Sequence, residues 1–149
     1  MALKERSVTI LTASFALGAY VAFCPFICCH TLIIILLAWL FPLNWFVMLA
    51  VSNVINNPWT MIPVYSSGYF TGEWLLGGLC GIDTQSCNPL WVQSLNDTLY
   101  HYTGLHGVAF WSFMVGGNLL GLLLAAMLYP TMKPIFTRLL QKVNSPKSV

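Results

Sequence analysis

The chain has 149 residues, 58% of them hydrophobic and 7% charged, with a net charge of +2 and a mean hydropathy of +0.76. A soluble domain carries about 25% charged residues, so the composition predicts an all-α integral membrane protein with one membrane domain over residues 1–149. Nucleic acid is excluded as a partner, because no basic cluster is interleaved with aromatics.

The charges are sorted by position. Lys4 and Arg6 precede the first apolar run, Lys133, Arg138, Lys142 and Lys147 follow the last, and no Lys or Arg lies between. Glu73, Asp83 and Asp97 occupy that interior. The positive-inside rule then puts both termini in the cytoplasm and requires an even number of crossings. The charged start followed by an apolar run has the form of a signal peptide. Pro25 and bulky residues follow it in place of a small-residue cleavage site, so it is expected to be retained.

In chain order, Ser7 to Phe23 is an apolar run of about 17 residues, the lower limit for a span. Its Ser14, Gly18 and Ala22 recur every fourth residue and predict close helix packing. Pro25 breaks the run, and Phe26 to Phe41 forms the second arm of an expected first hairpin over 7–41. Trp45 to Ile55 is about 11 residues, or about 16 Å of helix, too short to cross.

Ser52 to Tyr65, SNVINNPWTMIPVY, is the most polar interruption of the apolar sequence. Pro58 has no N–H and pushes Asn57 out of helical dihedrals, so a helix should stop at about Asn56; Pro63 is expected to repeat the break. A broken helix in hydrocarbon needs its freed groups covered by protein or by a wet cavity. Asn53, Asn56, Asn57 and Thr60 are the side chains able to satisfy or use those groups. The second arm, Trp59 to Leu79, carries several glycines and Glu73, completing a second hairpin over 45–79. With Tyr69 and Trp74 nearby, Glu73 is expected at a solvated interface.

Residues 81–103 form the one extended polar segment, with Trp91, Val92, Leu95 and Leu99 at helical spacing, and read as a surface amphipathic helix facing outward. Residues 107–129 are the clearest span. Gly117, Gly121 and Ala125 predict a packing face, and Pro130 and Pro134 are expected to close the helix before a basic cytoplasmic tail over 130–149. Five apolar arms with both ends on one side require at least one arm to be re-entrant. The hairpins around Pro25 and Pro58 are therefore expected to be re-entrant or broken, ahead of a final glycine-rich transmembrane helix.

The stretch GAYVAFCPFICCHT from Gly18 to Thr31, then Asn44, SNVINNPWTMIPVY, and Gly68 or Gly72 resemble the bacterial membrane-protein family catalogued as domain of unknown function 2062. That family's pattern is a glycine-rich opening, Pro-x-x-Gly-x-His-Thr, a later Asn, then Asn-Pro-x-Thr-x-x-Pro and a Tyr. Pro25, His30, Thr31, Asn57, Pro58, Thr60 and Pro63 match it, whereas Cys28 stands where the pattern has Gly. The match covers roughly Ala16 to Gly77 with a looser final span. The resemblance implies the bacterial cytoplasmic membrane and both proline loops, and supplies no reaction.

Two readings of His30 stay open. It relays a proton or binds an anionic headgroup, or it donates to a carbonyl freed beside Pro25. Cys24, Cys28, Cys29 and His30 lack the spacing of a metal site, since adjacent Cys28 and Cys29 point to different helix faces. No metal or cofactor is expected. Cys80 and Cys87 flank a polar loop and are a candidate disulfide if that loop faces an oxidising space. No catalytic constellation is visible, so an enzyme is not expected.

Two functions remain. The first is a small transporter or lipid-handling protein for an anionic lipid or polyprenyl phosphate. Its substrate-binding residues would be His30, Thr31, Asn53, Asn56, Asn57 and Thr60, with the helix N-terminus after Pro58 offering N–H groups to an anion. By architecture alone this resembles the re-entrant loops of DedA-type polyprenyl-phosphate translocases. A chain of this size encloses little volume, so a homo-oligomer among membrane lipids is expected. The second is a non-catalytic accessory subunit, with the resemblance implying an envelope-glycan glycosyltransferase as partner and the Gly117 and Gly121 face as the contact.

Overall fold

The computed structural model describes residues 2–24, 29–103 and 107–144. These form α1 (Ala2–Phe23), α2 (His30–Leu40), α3 (Trp45–Ile55), α4 (Pro58–Glu73), α5 (Leu90–Thr103) and α6 (Phe110–Asn144), with no strand among the described residues. The last turns of α4 widen into a π-helix over Trp74–Leu79. Pro25 and Cys28 lie outside the described residues.

α1 is the organising helix. Its Ser14 hydroxyl accepts the Asn44 N–H at 2.7 Å, just ahead of α3. Four residues on, Gly18 lies against the Met48 backbone, where a Cβ would come within 2.7 Å of the Met48 carbonyl oxygen. α3 thus runs parallel to α1 along the stripe of Ser14, Gly18 and Ala22, all buried. α2 folds back over one side of this pair. Val21, Ile34 and Met48 close a small apolar core, one residue from each of these helices. Full burial of such side chains is worth about 1.5–3 kcal/mol each.

α6 supplies the other side. It runs antiparallel to α1, with Tyr20 bonded to Asn118 at 2.7 Å and the Phe15 and Phe136 rings 5.8 Å apart. α4 packs antiparallel on the upper part of α6 through glycine contacts. A Cβ on Gly68 would lie 3.1 Å from the Gly117 Cα, and one on Gly116 would lie 1.9 Å from the Gly68 carbonyl oxygen. The stripe of Gly117 and Gly121 therefore splits between two partners inside the chain: Gly117 meets α4, and Gly121 meets Tyr20 and Phe23 of α1.

Several expectations are corrected. α3 packs on α1 while α4 packs on α6, so the arms around Pro58 do not lie along one another as a hairpin would. Pro63 does not break α4. It sits near the N-terminus, where its missing N–H deprives only the Trp59 carbonyl of a ladder bond. Pro130 and Pro134 likewise do not end α6, which continues to Asn144; past them Phe136 is held against Phe15. The basic segment after residue 129 is helix as far as Asn144, and residues 145–149 lie outside the described residues.

Phe110–Lys142 is long and apolar enough to cross a membrane, and Ser7–Phe23, His30–Leu40 and Trp45–Ile55 are shorter apolar helices. The polar segment ahead of α6 is tied to it. Asn88 Oδ1 accepts from Phe110 N at 2.7 Å. Asn96 pairs with the Val108 backbone in both directions at 3.1 Å, and Trp111 Nε1 donates to the Cys87 carbonyl at 3.0 Å. Val92 is buried, while Leu90, Trp91 and Leu95 of α5 are exposed.

Candidate functional site

The α3–α4 break is built by its own side chains. Asn57 is the N-cap of α4, and Pro58 follows at the first helical position, where no N–H is needed. Asn57 Oδ1 accepts from the N–H groups of Trp59 at 2.9 Å and Thr60 at 3.0 Å. Met61 gives its N–H to the Asn57 carbonyl at 2.8 Å. Thr60 Oγ1 accepts from Asn57 N at 3.2 Å, completing a capping box. On the other side of the break, Asn57 Nδ2 donates to the Val54 carbonyl at 3.1 Å, and Thr60 Oγ1 donates to the Ile55 carbonyl.

This network uses up the N–H groups of the first turn. An anion arriving at the N-terminus of α4 meets Asn57 Oδ1 rather than open donors. The expected anion cradle of Asn57 and Thr60 is therefore a closed structural joint. Thr31 and Asn53 are both exposed.

Asn56 behaves differently. Its Nδ2 donates to the Tyr65 hydroxyl at 2.7 Å, while its Oδ1 is buried without a hydrogen-bond partner. Cys24, just past the end of α1, is buried, and Tyr20 on the last turn of that helix is half-buried. Tyr20 continues to Asn118, which donates from Nδ2 to the Met114 carbonyl at 2.8 Å. His30 Nε2 donates to the Cys24 carbonyl at 2.9 Å, covering a backbone group freed at the end of α1. The structural reading of His30 is the one the geometry carries.

Two further polar places were not picked out by sequence as sites. Glu73 is partly buried rather than openly solvated. Its carboxyl accepts from Ser112 Oγ at 2.7 Å and from Thr84 Oγ1, which is 3.0 Å from both of its oxygens. The pairs Gly68-x-x-x-Gly72 and Ser112-x-x-x-Gly116 were the available signal, since small residues four apart mark close helix approach. The second place is an open groove of about 700 Å³ on α6, walled by Tyr129, Pro130 and Pro134 and edged by Lys133, Thr137 and Arg138.

Cys80 and Cys87 are unpaired and exposed, so the candidate disulfide is not formed. Gly81, at a φ of 64°, and the Asp83 turn, whose Oδ1 accepts from Gln85 N at 3.2 Å, fix the loop by its own hydrogen bonds.

No curated protein and no solved structure matches the chain significantly. The family described as an uncharacterized protein conserved in bacteria, DUF2062, matches residues 6–144, and the chain belongs to that family.

Proposed function

We propose that this is a non-catalytic, multi-pass protein of the bacterial cytoplasmic membrane, with both termini cytoplasmic, that handles an anionic lipid as a homo-oligomer. The observation that carries the reading is the α6 groove, where an apolar wall of Tyr129, Pro130 and Pro134 adjoins Lys133 and Arg138. That pairing matches an acyl chain beside an anionic headgroup. Residues 110 to 133 of α6 rise about 35 Å, which brings Lys133 to headgroup level if Phe110 lies at the opposite interface.

Membrane placement is supported by exposed apolar side chains that water would not tolerate as a continuous surface. Trp59 is 91% and Trp39 80% exposed, and Leu32, Ile35 and Leu36 line the same helix as Trp39. The antiparallel α1–α6 pair also brings the basic N-terminal and C-terminal ends to the same side, in keeping with the positive-inside rule.

Native mass spectrometry of the gently extracted protein tests this. The expected result is a homo-oligomer retaining a phospholipid or polyprenyl phosphate, told apart by mass, that is lost in a Lys133→Gln, Arg138→Gln double variant. Retention of the same lipid by that variant would overturn the proposal.

The accessory reading is favoured by a different observation: Asn57 and Thr60 are spent on each other, as expected of pure architecture. Gly117 and Gly121 face α4 and α1, so a glycosyltransferase partner would have to dock elsewhere, on the exposed face of α2. A stoichiometric protein partner without a specific lipid would establish this reading instead.

A further inference from the structure

We propose that Glu73, Thr84 and Ser112 form a binding site for one sodium-like monovalent cation. The proposal does not depend on the lipid reading.

Three separate elements converge on the site. Glu73 ends α4, Thr84 comes from the loop before α5, and Ser112 lies in the first turn of α6. Thr84 is 2% and Ser112 0% exposed, so two buried hydroxyls face one carboxyl. The close approach of Gly72 to the Ser112 backbone sets that spacing. The π-helix begins at the next residue, Trp74. Such wide turns are common at functional sites. Here the turn brings Gly77 beside the carboxyl, where a Cβ would lie 3.4 Å from Glu73 Oε1 and 3.9 Å from the Ile82 carbonyl oxygen.

Among the described residues the charge is unbalanced. No Lys or Arg lies between Arg6 and Lys133. Of the histidines with described side chains, His30 is bonded to the Cys24 carbonyl and His101 is exposed beside Tyr102. Asp83 is occupied by its own turn and Asp97 is exposed, so among the described side chains a single carboxyl faces the site. One negative charge with neutral oxygen ligands selects a hard cation of charge +1. Each hydroxyl has one donor and two acceptor positions. Both hydroxyls donate to Glu73; on binding they rotate and present lone pairs to the ion, with no covalent bond made or broken.

The experiment is thermal unfolding of the full chain in detergent, in sodium chloride against choline chloride at equal ionic strength. Sodium is expected to raise Tm of the wild type saturably, by about 3–6 °C. Glu73→Gln should unfold at one temperature in both salts. Ser112→Ala and Thr84→Val should need several-fold more sodium for the same rise. A wild type indifferent to sodium overturns the site, as does Glu73→Gln responding like wild type. A Tm that follows pH through Glu73 but not sodium also overturns it, by assigning the counter-charge to a proton. If Glu73→Gln does not fold, Ser112→Ala decides: an unchanged sodium midpoint overturns the site.

Discussion

Gly72 and Ser112 meet through their backbones: a Cβ on Gly72 would lie 1.8 Å from the Ser112 carbonyl oxygen. Together with the contacts of Gly68 against Gly116 and Gly117, this contact sets the α4–α6 spacing and brings the Ser112 hydroxyl to 2.7 Å from Glu73. Two helices approach this closely only where no side chain intervenes.

Gly72→Val or Gly116→Val must therefore push α4 and α6 apart. Overpacking costs about 1–3 kcal/mol and more where backbone is the obstacle. Both variants are expected to lose most folded protein, read by fluorescence-detected size-exclusion chromatography. Gly78→Ala, whose Cβ would meet only Trp74 Cδ1 at 3.7 Å, should elute as wild type.

Asn57→Ala removes the N-cap of α4 and leaves the Val54 carbonyl without its side-chain donor. A lost cap costs about 0.5–2 kcal/mol. Thr60→Ala should behave similarly, and Thr60→Ser should restore stability by returning the hydroxyl. Lower Tm with undiminished lipid retention by native mass spectrometry is expected. Loss of the lipid at unchanged Tm would return Asn57 and Thr60 to substrate binding.

Tyr20→Phe strips Asn118 Oδ1 of its donor across the α1–α6 interface. An unsatisfied buried acceptor costs about 1–3 kcal/mol, and half-buried Asn118 belongs at the low end of that range. The Tyr20→Phe, Asn118→Leu double variant should be less destabilised than the two single changes summed, because it leaves no orphaned group. A double-mutant cycle on Tm showing strict additivity would refute the pairing.

Cys80 and Cys87 are exposed thiols on the loop proposed to face outward. In a variant retaining only these two cysteines, a membrane-impermeant maleimide should label both in intact spheroplasts without reductant. Labelling only after lysis would invert the proposed topology.

Much of the local architecture is legible in the sequence, because it depends on neighbours along the chain. Pro58 lacks an N–H, so α3 had to stop near Asn56, and it ends at Ile55. An Asn before Pro with a Thr three residues after it is a helix start in its own right. The stripe of Ser14, Gly18 and Ala22 marked a face for close packing, and α3 lies on it.

The same residues misled where the outcome depended on what lay across space. Pro63, Pro130 and Pro134 looked like breaks, yet α4 and α6 run through them. A missing N–H removes one bond, and tertiary contacts such as Phe15 with Phe136 hold the rest. Asn57 and Thr60, expected as open ligands, bond each other instead, and this outcome is local: the Asn-x-x-Thr spacing of a capping box already carries it.

By itself, then, the sequence determined the helical class, the arms and the break after Asn56, all consequences of hydropathy and of backbone chemistry within a few residues. The tertiary structure alone decided that Gly72 would meet Ser112 and that Glu73 would face two hydroxyls, with no basic side chain bonded to it among the described residues. Those pairings join residues as far apart as Glu73 and Ser112, and their separation is fixed by how close two helix backbones can come.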